Sequence, residues 1–475
     1  RAPVHLTVSA KGYKDGDFTM IMGFPGTTTR YMTTYEIDEM LDVANPNRIL
    51  IRGERQKILK EDMEASDRVR IQYSDKYANS SNYWKNSIGK SKAVRKLGIR
   101  DRRQEQEAAF TRWVQADPAR SEYLRALPLI AASKEVSVPL ESDRQVLREA
   151  IVSSVEVASI AAVLSRALPD LLSAEPLAAE ETIAAVYKDY NEPTDRKVAK
   201  RMIELTMEMV SPDNMPEFIT TEVEGRFGGD VQAYVDWLYD NSIYANREKL
   251  ESYLAGGGEL PADDPALMVF NTTVAKHNGL VEQLREPAMQ FAEGHKLYIK
   301  GLLEMDADGK HYPDANFTIR LTYGNVKSYS PADAVDYDYF TTLTGVMEKE
   351  DELNPTEFTV PEKLKELYIE QDYGPYADLS GLTRKEIRNG AKGHVNTCFI
   401  STNDITGGNS GSPVLNDRGQ LIGLAFDGNW DAMSGDVLFE PELQRCINVD
   451  VRYVLFVIDK FAGAGHLLDE MTIEW

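Results

Sequence analysis

A short run of glycine and serine carries the side chain best suited to nucleophilic chemistry. The run is Thr406-Gly407-Gly408-Asn409-Ser410-Gly411-Ser412-Pro413-Val414. Glycines on both sides of Ser410 let the backbone turn sharply, so that the hydroxyl is presented and peptide N–H groups stay free. Such groups stabilise the negative charge that develops on a carbonyl oxygen during acyl transfer. We therefore predict Ser410 as a nucleophile and the N–H groups of Gly408 and Ser410 as oxyanion donors; an ordinary glycine-rich turn is the alternative.

Three predicted strands position this loop. One covers about 395–400 and leads in, one covers 413–415 and leads out, and one at about 421–426 returns after a tight turn. All three are short and rich in β-branched or aromatic residues, and Gly, Asn and Asp separate them. This strand–loop–strand–strand context favours the catalytic interpretation of Ser410 over a bare turn.

The predicted secondary structure changes twice along the chain. Residues 1–30 have a strand pattern, residues 31–313 read almost entirely as helix, and residues 314–475 return to strands. Helix starts are indicated where a capping side chain precedes proline, at Asp117-Pro118, Ser211-Pro212 and Asp264-Pro265. The sequence thus predicts an α+β protein: a β domain, made of 1–30 and 314–475, interrupted by a large α-helical insertion.

The charge balance excludes some partners. The 475 residues hold 53 Lys+Arg and 76 Asp+Glu, a net charge of −23, of which −14 falls from Asp314 onward. A sequence-independent nucleic-acid binder needs a basic face, so we predict no nucleic-acid partner. No apolar run reaches the roughly 18 residues of a membrane helix, so no membrane span is predicted.

Metal and cofactor chemistry have no sequence signature. The CxxC and HExxH patterns are absent, so neither a metal nor a cofactor is predicted. Cys398 and Cys446 could be two thiols or one disulfide. A serine nucleophile also needs a base, usually histidine. The six histidines do not lie in a suitable context, and we expect structural roles for them: His5, His277, His295, His311, His394 and His466.

The strings around Ser410 resemble a known group of peptidases. GNSGSPV followed by LIGLAFDGN resembles the nucleophile region of trypsin-like serine peptidases. More narrowly, four strings resemble the bacterial serine dipeptidyl-peptidases of peptidase family 46: TGGNSGSPVLNDRGQLIGLAFDGNW, CINVDVRYVLFVIDKFAGAGHLLDEM, GDFTMIMGFPGTTTRYMT and SSNYWKNSIGK. The resemblance implies a trypsin-like double β-barrel peptidase domain capped by the helical domain. It also implies release of dipeptides from a free N-terminus through an acyl-enzyme.

The resemblance extends to individual positions. Ser410 matches the nucleophile and Gly408 the oxyanion position. Asp427 matches the acid that binds the substrate's α-amino group, although a turn aspartate capping a strand end remains the alternative. Asn82 and Asn86 are both candidates for a second amine-binding amide, and an exposed helix-face asparagine is the alternative for either.

Position 428 bears on specificity. Family members that cleave after Asp or Glu carry arginine there, because an acidic side chain needs a cationic partner. This chain has Gly428. The resemblance therefore implies an open, uncharged S1 space and a preference for apolar or aromatic P1 residues.

The resemblance also implies features outside these motifs. Two barrels need roughly a dozen strands, so we expect a missing N-terminal portion to hold the first barrel, the catalytic His and Asp, and a signal peptide; this chain alone would be inactive. Expected partners are an oligopeptide with a free N-terminus and a second copy in a homodimer. The expected location is periplasmic, cell-surface or secreted. The rival functions are a trypsin-like endopeptidase and a non-catalytic helical interaction protein with a dead peptidase domain.

Overall fold

The computed structural model describes residues 4–354 and 357–475. It divides into two compact units. Met32–Lys310 form the helical unit, and Arg1–Tyr31 with His311–Trp475 form the sheet unit. A mixed helix-and-sheet fold is therefore confirmed, with most of the helix in one continuous stretch of chain.

The helical unit is built from twelve α-helices among the described residues. They are α1 (Thr34–Glu39), α2 (Asn45–Ala65), α3 (Asp67–Lys96), α4 (Ile99–Gln115), α5 (Ala126–Val146), α6 (Glu156–Ala174), α7 (Pro176–Tyr187), α8 (Glu192–Met209), α9 (Val231–Asn241), α10 (Arg247–Ala255), α11 (Pro265–Gln283) and α12 (Arg285–Met305). Wider π-helical turns at Met40–Ala44, Leu147–Val152 and Ile219–Arg226, and 3-10 turns at Pro118–Arg125 and Pro212–Asn214, lie between them.

Two of the three predicted helix starts behave as expected. Asp117 accepts a hydrogen bond from Ala119 N at the start of a 3-10 turn, and Asp264 accepts from Ala266 N at the start of α11. The Ser211 hydroxyl instead donates a hydrogen bond to the carboxylate of Asp143, so the following turn has no side-chain cap. Residues 86–114 belong to two helices, because Gly98 adopts a left-handed φ of 58° between α3 and α4.

The core of the helical unit is large and continuous. It draws on α2, α3 and α6 to α11, with side chains such as Leu59, Leu164 and Leu238 completely buried. At roughly 1.5–3 kcal/mol for each fully buried aliphatic side chain, this apolar contact dominates the stability of the unit.

The sheet unit contains eleven described strands and four short helices. The strands are β1 (Val8–Ser9), β2 (Phe18–Gly23), β3 (Arg320–Asn325), β4 (Tyr329–Ala332), β5 (Val335–Tyr337), β6 (Phe340–Thr342), β7 (Asn396–Ser401), β8 (Pro413–Leu415), β9 (Leu421–Gly428), β10 (Cys446–Asp450) and β11 (Ile473–Glu474). The helices are α13 (Leu343–Glu348), α14 (Glu362–Glu370), α15 (Arg384–Arg388) and α16 (Val451–Phe456). Shorter turns are 3-10 at Gly374–Tyr376, Trp430–Ser434 and Gly465–Glu470, and π-helical at Val457–Phe461.

Nine of these strands form one sheet. Its path is β3-β2-β8-β9-β10-β7-β6, with β1 joined to β9 and β11, while β4 and β5 form a separate pair. β2 runs antiparallel to both β3 and β8, and Ile21 lies opposite Val414. The prediction that the early strands belong with the late ones is confirmed.

The C-terminal barrel of the expected double β-barrel is not closed in the described residues. The strand path is open, and its opposite sides approach through an isolated bridge between Val326 and Ser401, without a regular ladder. β2 and β3 pair over six residues, whereas this bridge holds one pair. The trypsin-like barrel is therefore corrected to an open, mainly antiparallel sheet.

Among the described helices, none is by itself both long and apolar enough to cross a membrane. Pro118–Val152 and Glu156–Ser173 satisfy those criteria as a pair, with a bend of 79° between them.

Candidate active site

The loop that carries Ser410 joins β7 to β8, and the three strands lie close to their predicted bounds. The backbone hydrogen bonds that hold the loop include Gly411 N to Ala425 O at 2.7 Å, Ser412 N to Asn409 O at 2.9 Å, and Ala425 N to Ser412 O at 2.9 Å. Ser410 itself is exposed, and its Oγ lies 3.5 Å from Phe426 O. The loop thus presents the hydroxyl on a backbone that is tied to β9.

Gly408 occupies a position that only glycine tolerates. Its φ is 104°, and a Cβ there would overlap the carbonyl oxygen of Phe24. The preceding residue differs, because a Cβ on Gly407 would meet no atom within 4 Å. The close approach of the segment 24–26 is secured by Gly26 N, which donates to Gly407 O at 2.6 Å. Gly408 is therefore required by the backbone, whereas Gly407 is not.

The peptide N–H groups of Gly408 and Ser410 are among those in this loop that have no acceptor in the described part of the chain. Among the described residues, neither Gly408 N nor Ser410 N donates a hydrogen bond, although Asn409 N between them donates to Thr406 O at 3.1 Å. Unpaired N–H groups beside an exposed serine hydroxyl are the donors that an oxyanion requires. The arrangement can stabilise negative charge that develops next to Ser410.

A β-bulge in β9 brings Asp427 to the surface. Opposite β10, Ala425 pairs with Asn448 and Asp427 pairs with Ile447, so Phe426 is the extra residue. A bulge re-aims the side chains that follow it. Phe426 and Asp427 are consequently both exposed, where a regular strand would bury one of them. Among the described residues no cation lies within ion-pair distance of Asp427, and its Oδ1 accepts from Gly428 N at 2.7 Å.

Gly428 ends β9 in a crowded position. A Cβ there would lie 2.9 Å from the Cβ of Ala432, in the 3-10 turn Trp430–Ser434. Asn429 caps this turn by accepting from Ala432 N, and it also accepts from Arg445 N, both at 3.0 Å. A side chain at 428 would therefore displace the turn.

The sequence analysis missed two structural supports of the site. Arg445 is completely buried, and its guanidinium donates to five backbone carbonyls: Lys327, Ser328, Pro441, Glu442 and Gln444. Arg30 donates to Asp404 Oδ1 at 2.7 Å and to Gly435 O at 3.1 Å. Arg30 lies within the string GDFTMIMGFPGTTTRYMT, whereas Arg445 lies in none of the four strings and had no signal beyond the rarity of a buried cation.

Asn82 and Asn86 lie in the helical unit, four residues apart on α3, so they share one face of that helix. Asn82 is exposed and Asn86 is half-buried. Trp84 between them anchors α3 to α2, because its Nε1 donates to Ile49 O at 3.0 Å and its ring packs on Gly53. The other four predicted site residues all lie in the sheet unit.

No described histidine hydrogen-bonds to Ser410. In the sheet unit, His5 pairs with Thr472 Oγ1 at 2.9 Å and His394 stacks on Phe340. In the helical unit, His295 stacks on Phe291. These contacts are those of structural side chains.

The two cysteines are free thiols in the structure. Burial raises the pKa of both, so neither is a ready nucleophile. Within the described residues, no three His, Cys, Asp or Glu side chains cluster in a way that could hold a metal ion.

Comparison with known proteins places the whole chain in one family. A family model described as Peptidase S46 matches residues 1–473. The chain belongs to the peptidase S46 family. Dipeptidyl-peptidase 7 of Phocaeicola vulgatus is 46% identical over 482 residues, covering 100% of this chain and 65% of the relative. The Asp/Glu-specific dipeptidyl-peptidase of Porphyromonas gingivalis is 38% identical, covering 98% of this chain and 64% of the relative.

A solved structure shows the same fold. DPP11 of Porphyromonas endodontalis, in complex with the dipeptide Arg-Glu, matches this S46 chain with a TM-score of 0.88 and 32% identity. The match covers 100% of this chain and 67% of that one. The S46 chain described here thus spans about two thirds of the length of its relatives.

These comparisons correct the expected P1 preference. Relatives that match nearly the whole chain are named Asp/Glu-specific, and DPP11 is seen with dipeptides that end in Glu or Asp. The glycine at position 428 therefore does not assign an apolar or aromatic P1 preference to this S46 member.

Proposed function

We propose that the protein containing this chain is a serine dipeptidyl-peptidase in which Ser410 is the nucleophile. The observation that carries the proposal is the exposed Ser410 hydroxyl beside two N–H groups, those of Gly408 and Ser410, that no described residue accepts. The dipeptidyl-peptidase names of the relatives support the reaction class.

The chemistry follows from this geometry. Ser410 Oγ attacks the scissile carbonyl as a base removes its proton, and the carbonyl oxygen becomes negative beside the two N–H groups. Collapse breaks the peptide C–N bond, so the downstream peptide leaves as an amine and the dipeptide remains as an acyl-enzyme. Water then hydrolyses the ester, which releases the dipeptide and restores Ser410.

We expect the base that activates Ser410 to lie outside residues 1–475. No described histidine bonds to Ser410, and about a third of the relative's length lies outside the part that this chain matches. We expect the catalytic His and Asp to be supplied by that additional length, as in a trypsin-like double barrel. A preparation shown by intact mass to hold only residues 1–475 should not hydrolyse a dipeptidyl-amide, and turnover by it would contradict this step.

Asp427 is proposed to bind the substrate's α-ammonium group. An exposed carboxylate without a cationic partner is suited to a ligand that brings its own positive charge. Asn82 and Asn86 remain the two candidates for an additional amide ligand. The recognition of a free amine is what separates a dipeptidyl-peptidase from a trypsin-like endopeptidase.

The nucleophile is tested by substitution in the full-length protein. Ser410→Ala should lower kcat for a dipeptidyl-coumarylamide by about 10³-fold or more. Ser412→Ala, two residues along the same loop, is the matched control and should change kcat by less than about tenfold. Wild-type protein should also be labelled at Ser410 by a phosphonate. Equal effects of the two substitutions, or labelling elsewhere, would reject Ser410 and favour a dead peptidase domain.

The oxyanion donors are tested with neighbouring glycines. Gly408→Ala forces the backbone away from φ 104° and should lower kcat by about 10²–10³-fold, as for loss of one oxyanion donor. Gly407→Ala has open space and should retain most activity. If both variants behave alike, the loop does not form the oxyanion site.

The amine site is tested by blocking the substrate. Asp427→Asn should raise KM for a free-amine substrate by about tenfold or more, with a smaller change in kcat. An N-acetylated substrate should be refused by wild type. Efficient cleavage of the acetylated peptide would favour an endopeptidase instead.

We also propose that the full-length protein is a homodimer and that it lies in the periplasm or at the cell surface. The homodimer is tested by sedimentation of the full-length protein. The periplasmic or cell-surface location is tested by fractionation of the cells that make it.

A further inference from the structure

A basic cavity lies in the helical unit, beside the segment of α3 that holds Asn82 and Asn86. Its volume is about 380 Å³, and its lining comes from α2, α3 and the π-helical turn Leu147–Val152 with the residue that follows it: Arg48, Arg52, Tyr83, Arg148, Glu149 and Ser153. We call this cavity the arginine pocket. Three guanidinium groups face one carboxylate there, which leaves a net charge of +2.

Glu149 satisfies only part of this positive charge. Its side chain is 6% exposed, and its Oε2 accepts from Arg52 Nε at 2.8 Å. Arg48 Nε and Arg148 Nη2 are each 3.7 Å from Oε1, which is beyond hydrogen-bond distance. Within the described part of the chain, the buried Arg48 Nε makes no hydrogen bond. Glu149 is therefore the one carboxylate of the lining beside three guanidinium groups, and it accepts a hydrogen bond only from that of Arg52.

The neighbouring cations oppose one another. The pKa of Arg48 is lowered, first by burial and then by the charges of Arg52 and Arg148, while Glu149 acts in the opposite direction. Its remaining contacts are neutral, because Arg48 Nη1 donates to Asn45 Oδ1 at 3.4 Å and to Ser87 Oγ at 3.2 Å. A second anion would relieve this repulsion.

The guanidinium groups are also pre-arranged. Arg52 stacks over the ring of Tyr83 at 4.8 Å from its centroid, which fixes the guanidinium plane and leaves its edge to donate. The side chain of Arg148 is 50% exposed. A planar, oriented guanidinium loses little entropy when it binds an oxyanion bidentately.

We propose that the arginine pocket binds a small dianion through carboxylate or phosphate oxygens. The net charge of +2 matches a dianion, and the volume admits a ligand of a few non-hydrogen atoms. Arginine is the residue that recognises both kinds of oxyanion by paired N–H donors. The pocket is composed entirely of residues of the helical unit, so its occupancy does not depend on peptidase chemistry.

Titration calorimetry with two probes tests the binding. Inorganic phosphate at about pH 8, where it is mainly a dianion, and malonate are titrated separately into the full-length protein, with chloride keeping the ionic strength constant. Saturable binding of phosphate supports a phosphate source, and tighter binding of malonate supports a dicarboxylate source. Absence of saturable heat for both probes would overturn the proposal.

Three variants assign the heat to this cavity. Arg148→Ala should weaken binding by about tenfold or more, and its half-exposed side chain makes loss of folding a minor concern. Glu149→Gln raises the net charge to +3 and should tighten binding by about tenfold. Arg285→Ala removes an exposed arginine of the same unit, so binding should change by less than about twofold.

Two outcomes of the variant series would reject the arginine pocket. Equal weakening by Arg148→Ala and Arg285→Ala would indicate general charge attraction. Unchanged or weaker binding by Glu149→Gln, in a protein with native circular dichroism, would show that Glu149 does not compete with the ligand.

Discussion

Two buried aspartates, Asp450 of the sheet unit and Asp195 of the helical unit, have different hydrogen-bond partners. In the sheet unit, both carboxylate oxygens of Asp450 accept hydrogen bonds from Arg452: Nε donates to Oδ1 at 3.1 Å and Nη2 donates to Oδ2 at 2.7 Å. Tyr13 donates to the same carboxylate at 2.7 Å. In the helical unit, Asp195 receives neutral donors: the backbone N–H groups of Glu156 and Val157, at 2.9 and 2.8 Å, and the Tyr239 hydroxyl at 2.6 Å.

The partners contribute to the pKa shifts of Asp195 and Arg452. Burial, and then the charge of Glu156, raise the pKa of Asp195 to about 7, although its hydrogen bonds lower it. In the sheet unit, burial lowers the pKa of Arg452, but hydrogen bonding to Asp450 reverses this and the net shift is upward. The carboxylate of Asp450 thus raises the pKa of its arginine partner, whereas neutral donors leave Asp195 close to protonation at neutral pH.

The different partners of Asp195 and Asp450 follow from the different apolar cores of the two units. The helical unit has a continuous apolar core and can hold an isolated polar group among α6, α8 and α9. The sheet unit has two smaller clusters, and Arg452 links Asp450 to Asp378, whose carboxylate it reaches at 2.9 Å. We infer that the sheet unit depends more on its buried ions than the helical unit does.

The largest effect is expected from Arg452→Met. Removal of the cation leaves Asp450 buried without a charge partner, and such losses cost about 3–5 kcal/mol. Urea denaturation followed by tryptophan fluorescence measures the change. Arg388→Met, at an exposed arginine of α15, is the control and should stay within about 0.5 kcal/mol. If both variants lose the same stability, the buried ions do not distinguish this unit.

A smaller effect, with a characteristic pH dependence, is expected from Asp195→Asn. Because the folded pKa is raised above the unfolded value of about 3.9, the stability from this group is fully present below that value. It is lost as pH rises through about 7. The asparagine variant should lose this slope, a change of up to about 4 kcal/mol between those limits. Urea denaturation at a series of pH values, monitored by helical circular dichroism, measures it.

The sheet unit should show the opposite slope. Although burial raises the pKa of Asp378, hydrogen bonds from Ser380 and Arg452 lower it overall. Its contribution is therefore present above the unfolded pKa and lost as pH falls through the folded pKa. An Asp195→Asn variant that keeps the wild-type slope between about pH 4 and 7 would contradict the comparison.

The smallest effect is expected at an exposed carboxylate. Asp117 caps a 3-10 turn through one hydrogen bond, to Ala119 N at 2.9 Å, so Asp117→Ala should cost about 0.5–1 kcal/mol. Asp264→Ala should cost more, because Asp264 is buried and also receives Ser242 Oγ and Ile243 N. Thermal denaturation of the two variants side by side measures the difference. Equal losses would show that burial does not amplify the cap.

Much of the site and the order of the elements could be predicted from the sequence, because these features are encoded locally. The strands around Ser410, the glycines that flank it and the capping aspartates before Pro118 and Pro265 all depend on residues close in the chain. Backbone freedom and capping act over a few residues, so a local pattern suffices.

The tertiary structure decided what depends on distant partners. The bulge at Phe426 arises from the register of β9 against β10, and the fit of Gly408 depends on Phe24, nearly four hundred positions away along the chain. The open sheet, the carbonyl cage of Arg445 and the contrast between Asp450 and Asp195 likewise arise from non-local packing. Burial and pairing with distant residues determine the pKa shifts and the backbone strain, and a local sequence pattern predicts neither of them.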